Sequence, residues 1–379
     1  MHSLIGKFFG LESNITGRAI SEIRRCVPVL IYGDEGYLLV FASELLEEQS
    51  FAALAVFDNV SLLLTAQRAA FVSPYRALTR VCTQGKSLPE IRALLTEPPE
   101  ADLLDATPST NPLDPLAIDL VKMAKLLPSA LIVDMQFASF NEMDSWCNSN
   151  NILHVNSAVI YGWRKEYDLK EVCRSDLYLK DSLRSKIIVY RSNMAEPEHY
   201  AIIIGDPNMD NLIVRLHSSC YTGDLLGSLS CDCRSQLLSS VKLLSEQNGG
   251  AVLYISQEGR GIGLANKIRA YGLQMQNAFD TVDANRFLGF DADERVFLPA
   301  ALILKNLGVS RLQLLTSNPQ KVQAISKYGL SVTRVIPFHT EVNKYNSDYI
   351  KTKKTRLGHT NIVASHYTCT ADDETHLEI

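Results

Sequence analysis

The sequence predicts a chain of two domains, each mixing helix and strand, of the α/β or α+β class. Three observations predict it. A length of 379 residues is more than one hydrophobic core usually organises. Short runs rich in Val, Ile, Leu and Tyr alternate with stretches of helical periodicity. The alternation also changes character near residue 180. Before that point strands and helices take turns; after it three strands come in succession.

In the front part, RAISEIRRC reads as a helix and VPVLIY, from Val27, as the strand after it. The turn Gly33-Asp34-Glu35-Gly36 separates that strand from YLLVFAS and predicts a hairpin. A loop rich in Pro, Glu and Asp runs from about Glu97 to Pro112. LDPLAIDLVKMAKLLP then reads as a helix, with Leu116, Leu120, Met123 and Leu127 on one stripe and Pro128 ending it. SALIVDM is a buried strand.

In the rear part, KIIVYRSN, HYAIIIGD and NLIVRLHSS read as an antiparallel meander leading into a cysteine-rich run. A helix is predicted over Arg234–Glu246, with Leu237, Val241 and Leu244 inward. AVLYIS is a buried strand, and EGRGIGLANKIRAYGLQ turns into a helix. The pattern then gives a helix near Leu298–Leu307, a strand at RLQLLTS, a helix from Pro319 and a strand at SVTRVIPF. The final polar residues are expected to fray.

A net charge of −5 argues against a general nucleic-acid binder, so any anion site must be built from chosen Arg and Lys residues. Eight cysteines without a signal-peptide pattern fit a reducing cytoplasm. No apolar run reaches the roughly 18 residues that a membrane span needs.

Four short motifs concentrate the chemistry. The first is RLHSSCYTGDLLGSLSCDC, which offers Cys220, Cys231 and Cys233 in a Cys-x10-Cys-x-Cys spacing. Three thiolates are one short of a closed structural zinc site, and a catalytic zinc keeps one position open. On an extended segment Cys231 and Cys233 would face the same way, and Cys220 would join them across a hairpin. Three thiols buried in a sheet core are the alternative. The second is Gln257-Glu258-Gly259-Arg260-Gly261-Ile262-Gly263, between a strand and a helix. Its glycines would let backbone amides approach a phosphate, with Arg260, Lys267 and Arg269 nearby; a plain strand–turn–helix corner is the alternative. The third is Asp291-Ala292-Asp293-Glu294-Arg295, either a proton- and phosphate-handling site or an acidic helix start. The fourth is Thr316-Ser317-Asn318-Pro319-Gln320-Lys321, at a strand end, which capping alone also explains.

Taken together and in this order, the four motifs strongly resemble the GTP cyclohydrolase II family over roughly residues 180–360. That resemblance implies hydrolysis of GTP to formate, pyrophosphate and a diaminopyrimidinone ribosylamino 5′-phosphate, the first step of riboflavin biosynthesis. It implies one Zn2+ per subunit on Cys220, Cys231 and Cys233, with a bound water whose pKa falls to about 7. It gives Tyr271 a part in ring opening, and Asp293 and Arg295 a part at the α-phosphate. Arginine keeps its proton at neutral pH, so electrostatic stabilisation suits Arg295 better than nucleophilic attack. Substrate contacts carry over to Arg215, Leu216, His217, Ser218, Ser219, Gln236, Glu258, Gly259, Arg260, Thr281, Thr316 and Lys321. Glu258 suits the guanine edge and Arg260 and Lys321 the phosphates, with Mg2+ bridging them. Two alternatives stay open: a cyclohydrolase-like enzyme of another nucleotide or pyrimidine pathway, and a non-catalytic GTP-binding regulator with a structural zinc, for which His217 is a candidate fourth ligand. Ser219 departs from the family, which more often has Glu, and Ser317 stands where Asn is usual. A cytoplasmic homodimer, without nucleic-acid or membrane partners, completes what is implied.

The front half faintly resembles dihydroxybutanone phosphate synthase, through ISEIRRCVPVLI, LLVFASELL, LLTAQRAA, LAIDLVKMAKLLPSALIVDM and ILHVNSAVIYGWR. Its acidic magnesium loop is reduced to GDEGYLL, and Pro112-Leu113-Asp114-Pro115-Leu116 replaces the GHTEA segment. The expected organisation is a non-catalytic synthase-like domain over 1–175, a cyclohydrolase domain over 180–362 and a polar tail over 363–379.

Overall fold

The computed structural model describes residues 11–98, 105–194, 196–277, 279–338, 342–356 and 358. The polar tail and part of the Glu97–Pro112 loop lie outside the described residues. The front half runs α1 (Leu11–Arg24), β1 (Val29–Gly33), β2 (Gly36–Ala42), α2 (Glu48–Ala53), β3 (Ser61–Leu64), α3 (Ala66–Val72), β4 (Thr79–Cys82), α4 (Leu88–Thr96), β5 (Ala106–Pro108), α5 (Asp114–Met123), β6 (Ser129–Met135), α6 (Phe140–Ser149), β7 (Leu153–Asn156) and α7 (Ser157–Glu166). The rear runs β8 (Leu169–Leu179), β9 (Ser182–Ser192), β10 (His199–Gly205), β11 (Leu212–Ser218), α8 (Cys233–Glu246), β12 (Gly249–Ile255), α9 (Leu264–Asn277), α10 (Thr281–Phe287), α11 (Leu298–Asn306), β13 (Arg311–Leu315), α12 (Pro319–Lys327), β14 (Ser331–Ile336) and α13 (Ser347–Arg356).

Two mixed sheets form. The first has the order β5-β4-β3-β6-β2-β1-β7. The expected hairpin is present: β1 and β2 pair antiparallel with Gly33 opposite Gly36, so Asp34 and Glu35 alone make the turn. The second sheet has the order β14-β13-β11-β12-β10-β9-β8. Here the expected meander is corrected. β11 does not follow β10 in the sheet; β12 lies between them, antiparallel to β10 and parallel to β11. The helix α8 makes that parallel crossover possible, because a parallel return needs a long connection.

A second correction concerns α5. It stops at Met123, because Lys125 turns into the left-handed region at φ 61°. Leu127 therefore leaves the helical stripe and packs into a different apolar cluster from Leu116 and Leu120.

The chain divides into two compact units. Unit 1 takes the described residues up to Val172, then Tyr190–Glu198 and Ser256–Val296. Unit 2 takes Cys173–Val189, His199–Ile255 and the described residues from Phe297 onward. Within unit 1, α9 and α10 send Ala270, Leu273, Ala284 and Phe287 into one apolar cluster with Leu62, Leu64, Val72 and Ile91 of the front half. Each large apolar side chain so buried is worth about 1.5–3 kcal/mol. Arg68 of α3 seals this junction. It is 2% exposed, donates to the carbonyls of Leu94, Glu97 and Phe287, and lies 4.3 Å over the Phe287 ring. Burial lowers its pKa to about 10.

Candidate metal centre and its flanking loops

In unit 2 the cysteine run leaves β11 at Ser218 and folds into a tight turn at Tyr221–Leu225 before α8. Cys220 caps that turn, Cys231 lies in the bend before α8, and Cys233 is the first residue of the helix. Cys231 and Cys233 are thus not on an extended segment, and what joins Cys220 to them is a helical turn. The three sulfurs nevertheless meet, all within 4.8 Å of one another, with Cys220 and Cys231 3.7 Å apart. Cys220 Sγ accepts the Gly223 amide at 3.3 Å.

Gly223 makes room for this. A Cβ there would sit 2.7 Å from Cys231 Sγ, 2.9 Å from Cys233 Cβ and 3.0 Å from Cys220 Sγ. The crowding raises the thiol pKa values, Cys231 to about 11 chiefly through its contact with Cys220, and Cys233 well upward through Cys220 and Cys231. Thiolates this close repel one another, and a cation among them removes that cost. Buried sulfur donors converging on a space kept clear by glycine fit a metal ion.

Behind the sulfurs lies an acceptor that sequence reasoning missed. Asp224 accepts from His217 Nε2 at 3.0 Å, the Cys220 amide at 3.0 Å and the Tyr254 hydroxyl at 2.9 Å. His217 stacks on Tyr254 with ring centroids 5.4 Å apart. Burial lowers the His217 pKa despite Asp224. The ring nitrogen Nε2 is thus committed to Asp224, and His217 is absent from the metal-holding group.

A second polar chain supports the other end of the loop. Arg215 donates to Leu315 O at 3.2 Å and to the Gln236 side-chain carbonyl, and it lies 4.9 Å over Phe338. Gln236 passes on to Asp232 at 2.7 Å, and Asp232 takes Lys353 Nζ of α13 at 2.6 Å. Asp232, between the two cysteines of Cys-Asp-Cys, was open to sequence inspection; Lys353 carried no signal. Lys321 is buried and donates to Leu216 O at 2.8 Å. Thr316 Oγ1 accepts the Asn318 amide at 3.0 Å, and the Asn318 side chain caps α12 by accepting the Gln320 amide at 2.9 Å, as the capping reading expects. The Ser219 amide continues the β12 ladder to Ile255 O at 2.9 Å, so its backbone is fixed independently of its side chain. Unit 2 thus carries Arg215, Leu216, His217, Ser218, Ser219, Gln236, Thr316 and Lys321 with the three cysteines.

The remaining candidates lie in unit 1. Glu258 accepts from its neighbour's amide at Gly259, 3.0 Å, and from Lys267 Nζ, 2.8 Å. Gly259 and Arg260 both take left-handed conformations, φ 62° and 59°, which for arginine is a strained choice. Tyr271, on α9, has Lys267 Nζ over its ring, 5.7 Å from the centroid. Thr281 opens α10, capped by Asp280. Asp293 and Arg295 form a forked ion pair, with Arg295 Nε 2.8 Å from Asp293 Oδ1. Burial pushes the Asp293 carboxyl upward, but the Arg295 bonds outweigh it and hold the group below the usual carboxylate range. These residues are in a loop and not at an acidic helix start, since the next helix begins at Leu298.

The family model for GTP cyclohydrolase II matches residues 172–337. The GTP cyclohydrolase-2 of Azospirillum brasilense is 38% identical over 269 residues, 69% of each chain. That of Xylella fastidiosa strain Temecula1 is 35% identical over 355 residues, 90% of this chain and 86% of the relative. The riboflavin biosynthesis protein RibBA of Synechocystis is 38% identical over 255 residues, 64% of this chain and 45% of that protein. The Xylella alignment takes in most of the front half as well. On these matches, the chain belongs to the GTP cyclohydrolase II family.

Proposed function

We propose that this enzyme hydrolyses GTP to 2,5-diamino-6-(5-phospho-ribosylamino)pyrimidin-4(3H)-one, formate and pyrophosphate, the first step of riboflavin biosynthesis. The observation that carries the reading is a cluster of three sulfurs within 4.8 Å of one another, with no fourth protein ligand among the described residues. Zinc–sulfur bonds of about 2.3 Å in a tetrahedron put sulfurs about 3.8 Å apart, and Cys220 and Cys231 stand at 3.7 Å. Cys220, Cys231 and Cys233 would hold the zinc, which would supply Lewis acidity and lower the pKa of the water needed at guanine C8.

The protein's own groups do the rest. Glu258 accepts from guanine N1–H and the 2-amino group, and the Lys267 ion pair at 2.8 Å orients its carboxylate. Tyr271 moves or holds a proton as the imidazole ring opens. Arg295, pre-set by Asp293, stabilises charge that develops on the α-phosphate, with Arg260 and Lys321 on the phosphates, where Mg2+ would offset further negative charge. Arg215, Leu216, His217, Ser218, Ser219, Gln236, Gly259, Thr281 and Thr316 complete the GTP contacts. The front half is synthase-like but lacks synthase activity. Its hairpin turn has two residues where an acidic loop is needed, and Asp114 is bound by Arg80 at 2.6 Å and Ser109 at 2.5 Å. We place the enzyme in the cytoplasm as a homodimer; no described helix is long and apolar enough to cross a membrane. Incubation with GTP, Zn2+ and Mg2+ tests the reading: mass spectrometry should find the ring-opened pyrimidine with equimolar pyrophosphate. Intact GTP, or simple loss of phosphate, would refute it.

A further inference from the structure

Residues Asp291–Val296 belong to no helix or strand, so their position depends on what they are bonded to. Their own turn is closed by the Glu294 carboxylate, which accepts the Asp291 amide at 2.9 Å. The segment also leans on the glycine turn. The Glu294 amide donates to Arg260 O at 3.0 Å, and the Val296 amide to Gln257 Oε1 at 3.1 Å. Approach is so close that a Cβ on Gly261 would lie 2.5 Å from Glu294 O.

Two lysines of the front half hold this pair of loops. Lys122, in the last turn of α5, donates to Glu294 Oε1 at 2.7 Å, with both side chains about four-fifths buried, and lies 3.7 Å from Asp291. Lys125, just past the helix, donates to Gly261 O at 2.9 Å while its own carbonyl accepts from Asn266 at 3.2 Å. All of these residues belong to unit 1.

We propose that Lys122 and Lys125 are positioning residues. Through Glu294 and Gly261 they fix the loop that carries Asp293 and Arg295, so the front half is a working part of the phosphate-handling machinery. The catalytic side of this inference rests on the function proposed above. Misplacing a reacting group by about 1 Å can cost 100-fold in rate, and an ion pair at the base of an irregular loop prevents that displacement.

Lys122→Met should lower kcat for pyrophosphate release about 10-fold, with KM for GTP and zinc content close to wild type. Lys122→Arg should keep most of the activity, and the double reversal Lys122→Glu with Glu294→Lys should recover more than either single change. Hydrogen exchange on the full chain should show faster amide exchange in Lys122→Met confined to the 258–263 and 291–296 loops. Wild-type kcat in Lys122→Met, or no recovery in the double reversal, overturns the catalytic part. Unchanged loop exchange overturns the positioning itself, whether or not the wild-type protein turns over GTP. A wild-type protein that releases neither formate nor pyrophosphate counts instead against the proposed function.

Discussion

At Gly223 a single methyl group decides whether three sulfurs can gather. Gly223→Ala places that methyl 2.7 Å from Cys231 Sγ, and the loop must open to take it. We expect zinc affinity to fall about 10–100-fold, measured by competition with a chromophoric chelator. Gly162→Ala on α7, where no atom lies within 4 Å of a new Cβ, should leave it unchanged. Asp293 gives a pH test. Its carboxyl is held below the ordinary range, so its stabilising contribution is complete above the usual Asp pKa of about 3.9 and is lost as pH falls below it. Urea unfolding from pH 7 down to pH 3 should therefore fall more steeply for wild type than for Asp293→Asn; parallel curves would contradict the pairing. The cysteine spacing was legible because it lies within fourteen consecutive residues. Asp224 and Tyr254 were not, because thirty residues of chain separate them and only the parallel β11–β12 register, His217 opposite Tyr254, brings them together.

Among the elements, α13 shows how a distant helix can support a loop. It had no strong periodic signal in KTKKTR, yet Lys353 reaches Asp232 at 2.6 Å with side chains 10% and 3% exposed. Removing one partner of a buried pair typically costs about 3–5 kcal/mol, because the other charge is stranded. Lys353→Met should lower unit 2 stability by about that amount in denaturant titrations followed by hydrogen exchange, whereas the exposed Lys354→Met should change it by less than about 0.5 kcal/mol. The Asp232 pair raises the Lys353 pKa although burial works against it, so this stability persists through neutral pH and is lost only as pH climbs past the ordinary lysine range. Strands such as SALIVDM were legible as apolar runs, and α8 and α12 from their periodicity and Pro319. The strand order was not, since nothing local in NLIVRLHSS says that β12, formed thirty residues later, will separate it from β10. The end of α5 was misread because apolar periodicity continues through Leu127 while the backbone reverses at Lys125.

For the whole molecule, the motif order marked the rear half as one functional block, while the compact units cut through it. Residues Ser256–Val296 pack their apolar side chains with the front half because Ile262, Leu273, Phe287 and Phe290 share a cluster with Leu62, Val72 and Ile91. A chain lacking residues 1–172 would leave those side chains uncovered, and we expect it to be aggregated by light scattering and inactive; a soluble, active fragment would contradict this. The full chain should not convert ribulose 5-phosphate, which a coupled assay checks. Formate release from GTP by wild type and Cys231→Ser protein, assayed side by side after zinc loading, is the most direct measurement. The account expects formate from the first and none from the second, and equal formate from both would contradict it.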